Sequence, residues 1–234
     1  MPIVRAVRVA MLAPMQIELD PIVRGLALQA DDDVHRGAAG SVEVVALLTH
    51  IGMTAAARAA ERALALDVDM VFVVGIAGGV DMSAVAIGDV IRPARVLNRA
   101  RNLQFRPATI GEEPRRGVLS CGDDLITDRE VLATMARAGV IAVDMETAAV
   151  AEVCEEHGCP WIVFRSISDS AGEGLVDDAI FAMTRPDGSA DRTAITRYLD
   201  DHPDRKEALA RLARDTNRAT TAAAAAAIAA CRQL

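Results

Sequence analysis

Aromatic side chains are scarce in this sequence: one Trp, one Tyr and four Phe, 3% of 234 residues. Hydrophobic residues nevertheless make up 52%. The core must therefore be built from Ala, Val, Ile and Leu, the composition of buried sheets covered by helices. Lysine is almost missing, with Lys206 the only one. That excludes a phosphate-loop lysine and argues against Schiff-base chemistry. Surplus positive charge is missing too. A net charge of −8 leaves no basic face for a nucleic acid polymer. The four cysteines, Cys121, Cys154, Cys159 and Cys231, form no CxxC pair and no disulfide-like spacing. Cys154, His157 and Cys159 are too compactly spaced for a usual zinc pattern. They read as a buried thiol and an exposed helix-end His. The N-terminus carries no long apolar run, and the Ala-rich stretch at 222–230 is too short and too weakly apolar to span a bilayer. These absences point to a cytoplasmic protein with no membrane segment, no metal and no organic cofactor.

What is present is alternation. Short β-branched runs at 4–12, 42–48, 70–76, 89–97, 117–120, 140–144 and 161–167 are the strand candidates. Helical patterns at 15–29, 54–66, 128–137, 146–157 and 203–232 fall between or after them. Such alternation predicts an α/β fold, a single three-layer α/β/α domain over 1–234 with a twisted, mostly parallel central sheet. A long Ala-rich helix from about 203 closes it. Thr127 with Glu130 reads as a capping box, and Gly158 with Pro160 ends the helix that starts at Glu146. The Arg-rich segment 92–116 is the least periodic part and reads as a long loop. Asp31 to Asp33 reads as a solvated acidic turn.

Two strings carry the chemistry. VDMETAAVAEVC places Glu146 after one strand, and WIVFRSISDSAG places Asp169 after another. Ligands bind at the carboxyl ends of strands in α/β sheets. An acid there is costly unless it is paired or has a task. Glu18, in MLAPMQIELD near the N-terminus, is the third acid. The run GIAGG at 75–79, including Gly78, lets backbone amides approach a ligand, although a plain turn is the alternative. It is not a dinucleotide fingerprint. THIGMTAAA offers a glycine turn at Gly52 before a helix whose N-terminus could hold an anion or hydroxyl, and His50 beside it reads as structural.

In order along the chain, MLAPMQIELD, THIGMTAAA, VVGIAGGVD, SCGDDLITD, VDMETAAVAEVC and FRSISDSAG resemble the nucleoside phosphorylase/nucleosidase superfamily. They are most similar to the 5′-methylthioadenosine/S-adenosylhomocysteine nucleosidases. The resemblance implies a nucleoside phosphorylase-like fold, a purine nucleoside as substrate and a homodimer. It implies that Asp169 protonates or hydrogen-bonds purine N7, that Glu146 binds the ribose 2′ and 3′ hydroxyls, and that Glu18 activates the attacking water. Arg165 would orient a carboxylate or the water, and Ser168 would hold Asp169. Met145 would pack on the ribose, and Ile126 would offer backbone groups to the purine edge. Met15 and Ile51 would line the 5′ pocket. The chemistry is coherent without the family. Breaking an N-glycosidic bond leaves a cationic sugar and an anionic purine, so it needs a proton on one side, a carboxylate beneath the sugar and a base for water.

The sequence departs from that family at several places. Ile76 stands where a Ser or Thr hydroxyl is usual, and Leu125 where a Phe stacks on the purine. Asp144 replaces a Glu before Met145 and Glu146. The segment after Gly172 is longer and contains TRPDGS, similar to phosphorylase relatives tied to hopanoid synthesis. Arg95, Arg99, Arg101 and Arg106 fall where the family builds part of its 5′ pocket, and are expected either to face an anionic 5′ group or to be a solvated surface. Glu18 sits where phosphate would be repelled, which favours hydrolysis. A phosphate-dependent purine nucleoside phosphorylase, including the hopanoid-associated type, and a non-catalytic nucleoside binder are the alternatives.

Overall fold

The computed structural model describes residues 5–111, 114–173, 176, 180, 182–185 and 189–234. Its strands form one sheet. Strand β1 (Arg8–Ala13) lies between β4 (Val42–Leu48) and β5 (Met70–Gly79), all parallel, and β11 (Trp161–Ser170) runs parallel on β5. Beyond β5 a second parallel group follows: β10 (Val140–Asp144), β9 (Val118–Cys121) and β7 (Arg95–Asn98). Two antiparallel pairs, Ala142 with Gly79 and Val143 with Gly78, join the groups. The remaining strands, β2 (Gln29–Asp31), β3 (Val34–Ala39), β6 (Val90–Ile91) and β8 (Leu103–Phe105), pair antiparallel at the margins. The fold is thus α/β, with a mostly parallel sheet whose two parallel groups meet at the short antiparallel junction of β5 and β10.

Side chains alternate across it with the period of a strand. Ala10, Leu12, Val71, Val73 and Val163 enter one apolar cluster, while Val9, Met11, Phe72, Val74 and Phe164 enter the other. Helices α2 (Met53–Leu64) and α4 (Thr147–Glu156) cover the first face through Ala56, Ala60, Ala63, Ala148 and Val150. Helices α1 (Gln16–Leu26) and α6 (Lys206–Cys231) cover the second through Leu19, Ile22, Ala223 and Ala227. Alanine faces let these helices sit close to the sheet, so few rings are needed. The pair Phe72 and Phe164, with centroids 5.0 Å apart, is the exception. Helices α3 (Arg129–Arg137) and α5 (Arg192–Asp201) lie outside these layers in sequence.

Several local expectations are corrected. The segment 92–116 is not a loop throughout: it holds β7 and its hairpin partner β8, turned at Asn102 in the left-handed region (φ 54°). The acidic turn expected at 31–33 is there and exposed, as the tip of the β2–β3 hairpin with Asp32 at φ 53°. These strands are short and rich in polar residues, so their alternation is weak. The cap of α3 is Asp128, which accepts from Glu130 N and Val131 N, not Thr127. The glycine run is not a turn: pairing with β11 keeps it extended to Gly79. The first strand begins at Arg8, residue 4 being outside the described residues. In TRPDGS, residues 186–188 are also outside them. The last helix begins with a 3-10 turn, Pro203–Arg205.

Candidate active site

The site forms where β5, β10 and β11 end. Arg165 pairs with Gly75 and Ile167 with Ala77, but the next partner of β5 is Asp169, so Ser168 is skipped. A bulge of this kind re-aims side chains next to functional sites. Here both Ser168 and Asp169 line the same hollow, and Ser168 Oγ donates to Asp169 Oδ1 at 2.5 Å.

Glu18 reaches this point from the first turn of α1. Its carboxylate accepts from Met15 N and from Ile76 N, both at 2.8 Å, closing the start of the helix and tying it to β5. Arg165 is fully buried and comes from the opposite side, with Nη1 3.6 Å from Glu18 Oε1. Gly75 makes this meeting possible. A Cβ there would lie 2.2 Å from Glu18 Oε1 and 2.5 Å from Arg165 Nη1.

Arg165 also gathers the acids at the end of β10. Its Nη2 lies 2.9 Å from Glu146 Oε2 and 2.6 Å from Asp144 Oδ2, and its Nε donates to Thr147 Oγ1 at 3.3 Å. Asp144 accepts from the hydroxyl of Thr147 and, at 3.3 Å, from its backbone N–H. Glu146 Oε1 accepts from Gly52 N at 3.1 Å, which joins the start of α2 to the site. Gly52 has φ 101°, a conformation that favours glycine. His50 is exposed beside it.

Burial dominates the electrostatics. It pushes Glu18 up to about 8, against the pull of Arg165 and with the repulsion of Glu146. It pushes Glu146 up to about 7, again against Arg165 and with the repulsion of Asp144. Asp169 is raised by burial, partly offset by the Ser168 hydroxyl and reinforced by Glu173. Burial alone would lower Arg165, yet Asp144, Glu146 and Glu18 together raise it. The guanidinium therefore stays charged, and Glu18 and Glu146 hold protons into the neutral range.

These groups open on a cavity of about 270 Å³. Asp169, Glu18, Arg165, Glu146, Met145, Ile126, Leu125, Ser168, Gly78, Ile76, Ile51 and Met15 all line it. Sequence reasoning passed over Asp144 and Thr147. Asp144 ends a strand as Glu146 does, and the same criterion would have found it. It also missed Leu212 and Thr216 of α6 and Val176, Ile180 and Thr184, which complete the wall. No local signal marks which face of a long helix looks into a cavity. The arginines of the 92–116 segment are not in the wall. Arg99 donates to Asp124 O at 3.0 Å, Arg101 pairs with Glu152, Arg95 donates to Gln104 at 3.2 Å, and Arg106 is exposed. A second cavity of about 190 Å³, by Arg92, Arg115 and Phe164, has no acid among the described residues of its wall. Among the described residues, no cluster of three or more His, Cys, Asp or Glu is placed to hold a metal ion. Among them, too, no helix is long and apolar enough to cross a membrane.

A central parallel sheet between helix layers, with acids at its strand ends, defines an α/β protein of the nucleoside phosphorylase type. The chain belongs to the phosphorylase superfamily, whose family model matches residues 8–113 and 99–231. It is 28% identical over 177 residues to the 5′-methylthioadenosine/S-adenosylhomocysteine nucleosidase of Thermotoga maritima, covering 68% of this chain and 80% of that protein. Its fold is similar to that of the nucleosidase of the same name from Colwellia psychrerythraea, solved with adenine: TM-score 0.75, 19% identity, 98% of this chain and 96% of the other. The futalosine hydrolase of Helicobacter pylori has a similar fold too, with TM-score 0.74, 18% identity and coverage of 98% and 99%.

Proposed function

We propose that this chain hydrolyses the N-glycosidic bond of an adenosine-type nucleoside, of the 5′-methylthioadenosine or S-adenosylhomocysteine kind, to free base and ribose derivative. The observation that carries this reading is the convergence of Glu18, Glu146 and Asp169 on one cavity, with Arg165 buried between the first two. Asp169 delivers a proton to purine N7 and so neutralises the leaving group. Its raised pKa favours the protonated form that this step needs. Glu146 grips the ribose hydroxyls and stabilises the developing cation. Glu18 takes a proton from water, and Arg165 orients it. Leu125 and Ile126 flank the purine, Met145 packs on the ribose, and Met15 with Ile51 lines the 5′ side. The loss of the usual hydroxyl at Ile76 leaves its backbone N–H, which positions Glu18.

The same geometry favours water over phosphate. A phosphorylase needs several free donors around an oxyanion. Here Arg165 faces three carboxylates, and the N–H groups of Met15, Gly52 and Ile76 already point at Glu18 or Glu146. A phosphate ion entering this ring would find these donors already engaged. With this reading goes a single-domain cytoplasmic homodimer acting in methionine salvage. The test is product analysis with methylthioadenosine and S-adenosylhomocysteine. Adenine and free ribose derivative are expected at equal rates with and without phosphate. Ribose 1-phosphate formed only with phosphate would make it a phosphorylase, and binding without release of adenine would make it a binder.

A further inference from the structure

Helix α4 ends in a motif that brings two thiols together. Cys159 N donates to Cys154 O at 2.9 Å and Gly158 N to Glu155 O at 3.2 Å, with Gly158 at φ 65°. This is the paired 6→1 and 5→2 closure of a helix C-terminus, which sets the side chain of the last residue against that of the residue five before it. In most helices the contact is apolar. Here it is Cys154 against Cys159, and the Cys159 thiol donates to Pro160 O at 3.6 Å. A disulfide needs a Cα separation of roughly 4.4–6.8 Å, and the backbone bond from Cys159 N to Cys154 O brings the two residues together. We propose that Cys154 and Cys159 form a redox-active dithiol site, closed to an intramolecular disulfide by small disulfides of the glutathione class.

The two thiols differ in the way such chemistry requires. Cys154 is fully buried, while Cys159 is partly exposed. The neighbouring Cys154 thiol draws the Cys159 thiol below its usual range, against burial and Asp69 and with help from His157. The same contact, then burial, pushes Cys154 up. Glu61 and Glu155 face Cys154 as well, and His157 lies 3.5 Å from Glu61. Cys159 is thus the attacking thiolate and Cys154 the resolving thiol. In the first step the Cys159 thiolate attacks one sulfur of the small disulfide: one S–S bond forms, one breaks, and a small thiolate leaves. In the second, Cys154 gives its proton to that thiolate and attacks Cys159, expelling the second small thiolate, which takes up the proton Cys159 had released. Two protein thiols are oxidised and one small disulfide is reduced to two thiols. The bridge would tie the end of α4 to the start of β11, the two elements that carry site residues at their opposite ends.

The test uses the full chain with oxidised glutathione, followed by alkylation under unfolding conditions and tryptic mapping. Cleavage after Arg137 and Arg165 isolates residues 138–165, which contain Cys154 and Cys159 and no other cysteine. That peptide is expected two hydrogens lighter and unalkylated, with Cys121 and Cys231 both alkylated. In C154S, Cys159 should keep a glutathione adduct; in C159S, Cys154 should stay unmodified. Full alkylation of the wild-type peptide, a stable glutathione adduct on wild-type Cys159, or a bridge to Cys121 or Cys231 would overturn the proposal. The wild-type peptide decides even where a variant fails to fold.

Discussion

Arg165 and the arginines of the 92–116 segment are the same side chain in two settings. Arg165 is fully buried, with Asp144, Glu146 and Glu18 around it. Arg101 has Glu152 as partner and 59% of its side chain in solvent. In water such a pair contributes about 0–1 kcal/mol, because each ion is already solvated and salt screens it. In the interior neither charge has water to return to, so removing one partner leaves the others stranded, at a cost of about 3–5 kcal/mol. The number of arginines in a stretch therefore says little about function, whereas one arginine at a strand position otherwise filled by Val163 and Ile167 says much.

The largest expected effect is at Arg165. Arg165→Met should lower stability by about 3–5 kcal/mol in urea unfolding. Activity should fall at least ~10²-fold, since the carboxylates it holds would separate or take up protons. A loss under ~1 kcal/mol would show that the buried network is not coupled through this residue. Asp169→Asn sharpens the contrast from the other side. Asp169 is only partly buried and, among the described residues, its side-chain hydrogen bond is with Ser168. Its replacement should cut adenine release by ~10²–10⁴-fold while unfolding shifts by less than ~1 kcal/mol. A large stability loss with intact turnover would assign Asp169 to the scaffold.

Glu18 couples the two properties through pH. Its folded pKa, about 8, lies above the unbound value of 4.5, so the folded state binds more protons between these values. Stability should fall as pH rises through that window, because the unfolded chain ionises first. Turnover that uses Glu18 as a base should rise over the upper part of the same window. Glu18→Gln should make the stability profile shallower there, leaving the slope that Glu146 contributes below about 7, and abolish the rise in rate. An unchanged stability profile in the variant would place the titration elsewhere.

Glu146 and Asp169 were legible because each follows an apolar run, where a charge needs a reason, while the parts given to Glu18 and Arg165 came from the strings that resemble the family. The layers were legible because Val9 to Ala13, Val71 to Val74 and Ile162 to Phe164 alternate cleanly between two clusters. What escaped was set by distant partners. The bulge at Ser168 exists only against β5, and the need for glycine at position 75 arises only because Glu18 and Arg165 meet across it. The β2–β3 and β7–β8 hairpins are margins of a sheet, half in water, so their residues keep no strict apolar period. Leu212 and Thr216 lie in a helix whose sequence pattern continues past them unchanged.

The smallest effects separate two arginines of the same hairpin. Arg99 donates to Asp124 O at 3.0 Å and lies over Gly122, where an added Cβ would meet its guanidinium at 2.8 Å. Asp124, Leu125 and Ile126 form one wall of the cavity, so Arg99 acts on the site only through that wall. Arg99→Ala should raise KM a few-fold, on the order of one hydrogen bond of ~0.5–1.5 kcal/mol, and leave kcat near its original value. Arg101 pairs with Glu152 of α4 and touches no cavity residue by hydrogen bond or ion pair. Arg101→Ala should change neither kinetic constant and should shift stability by at most ~0.5 kcal/mol. Equal KM effects from both, or a selective loss of S-adenosylhomocysteine turnover in the Arg101 variant, would return the Arg-rich segment to the substrate.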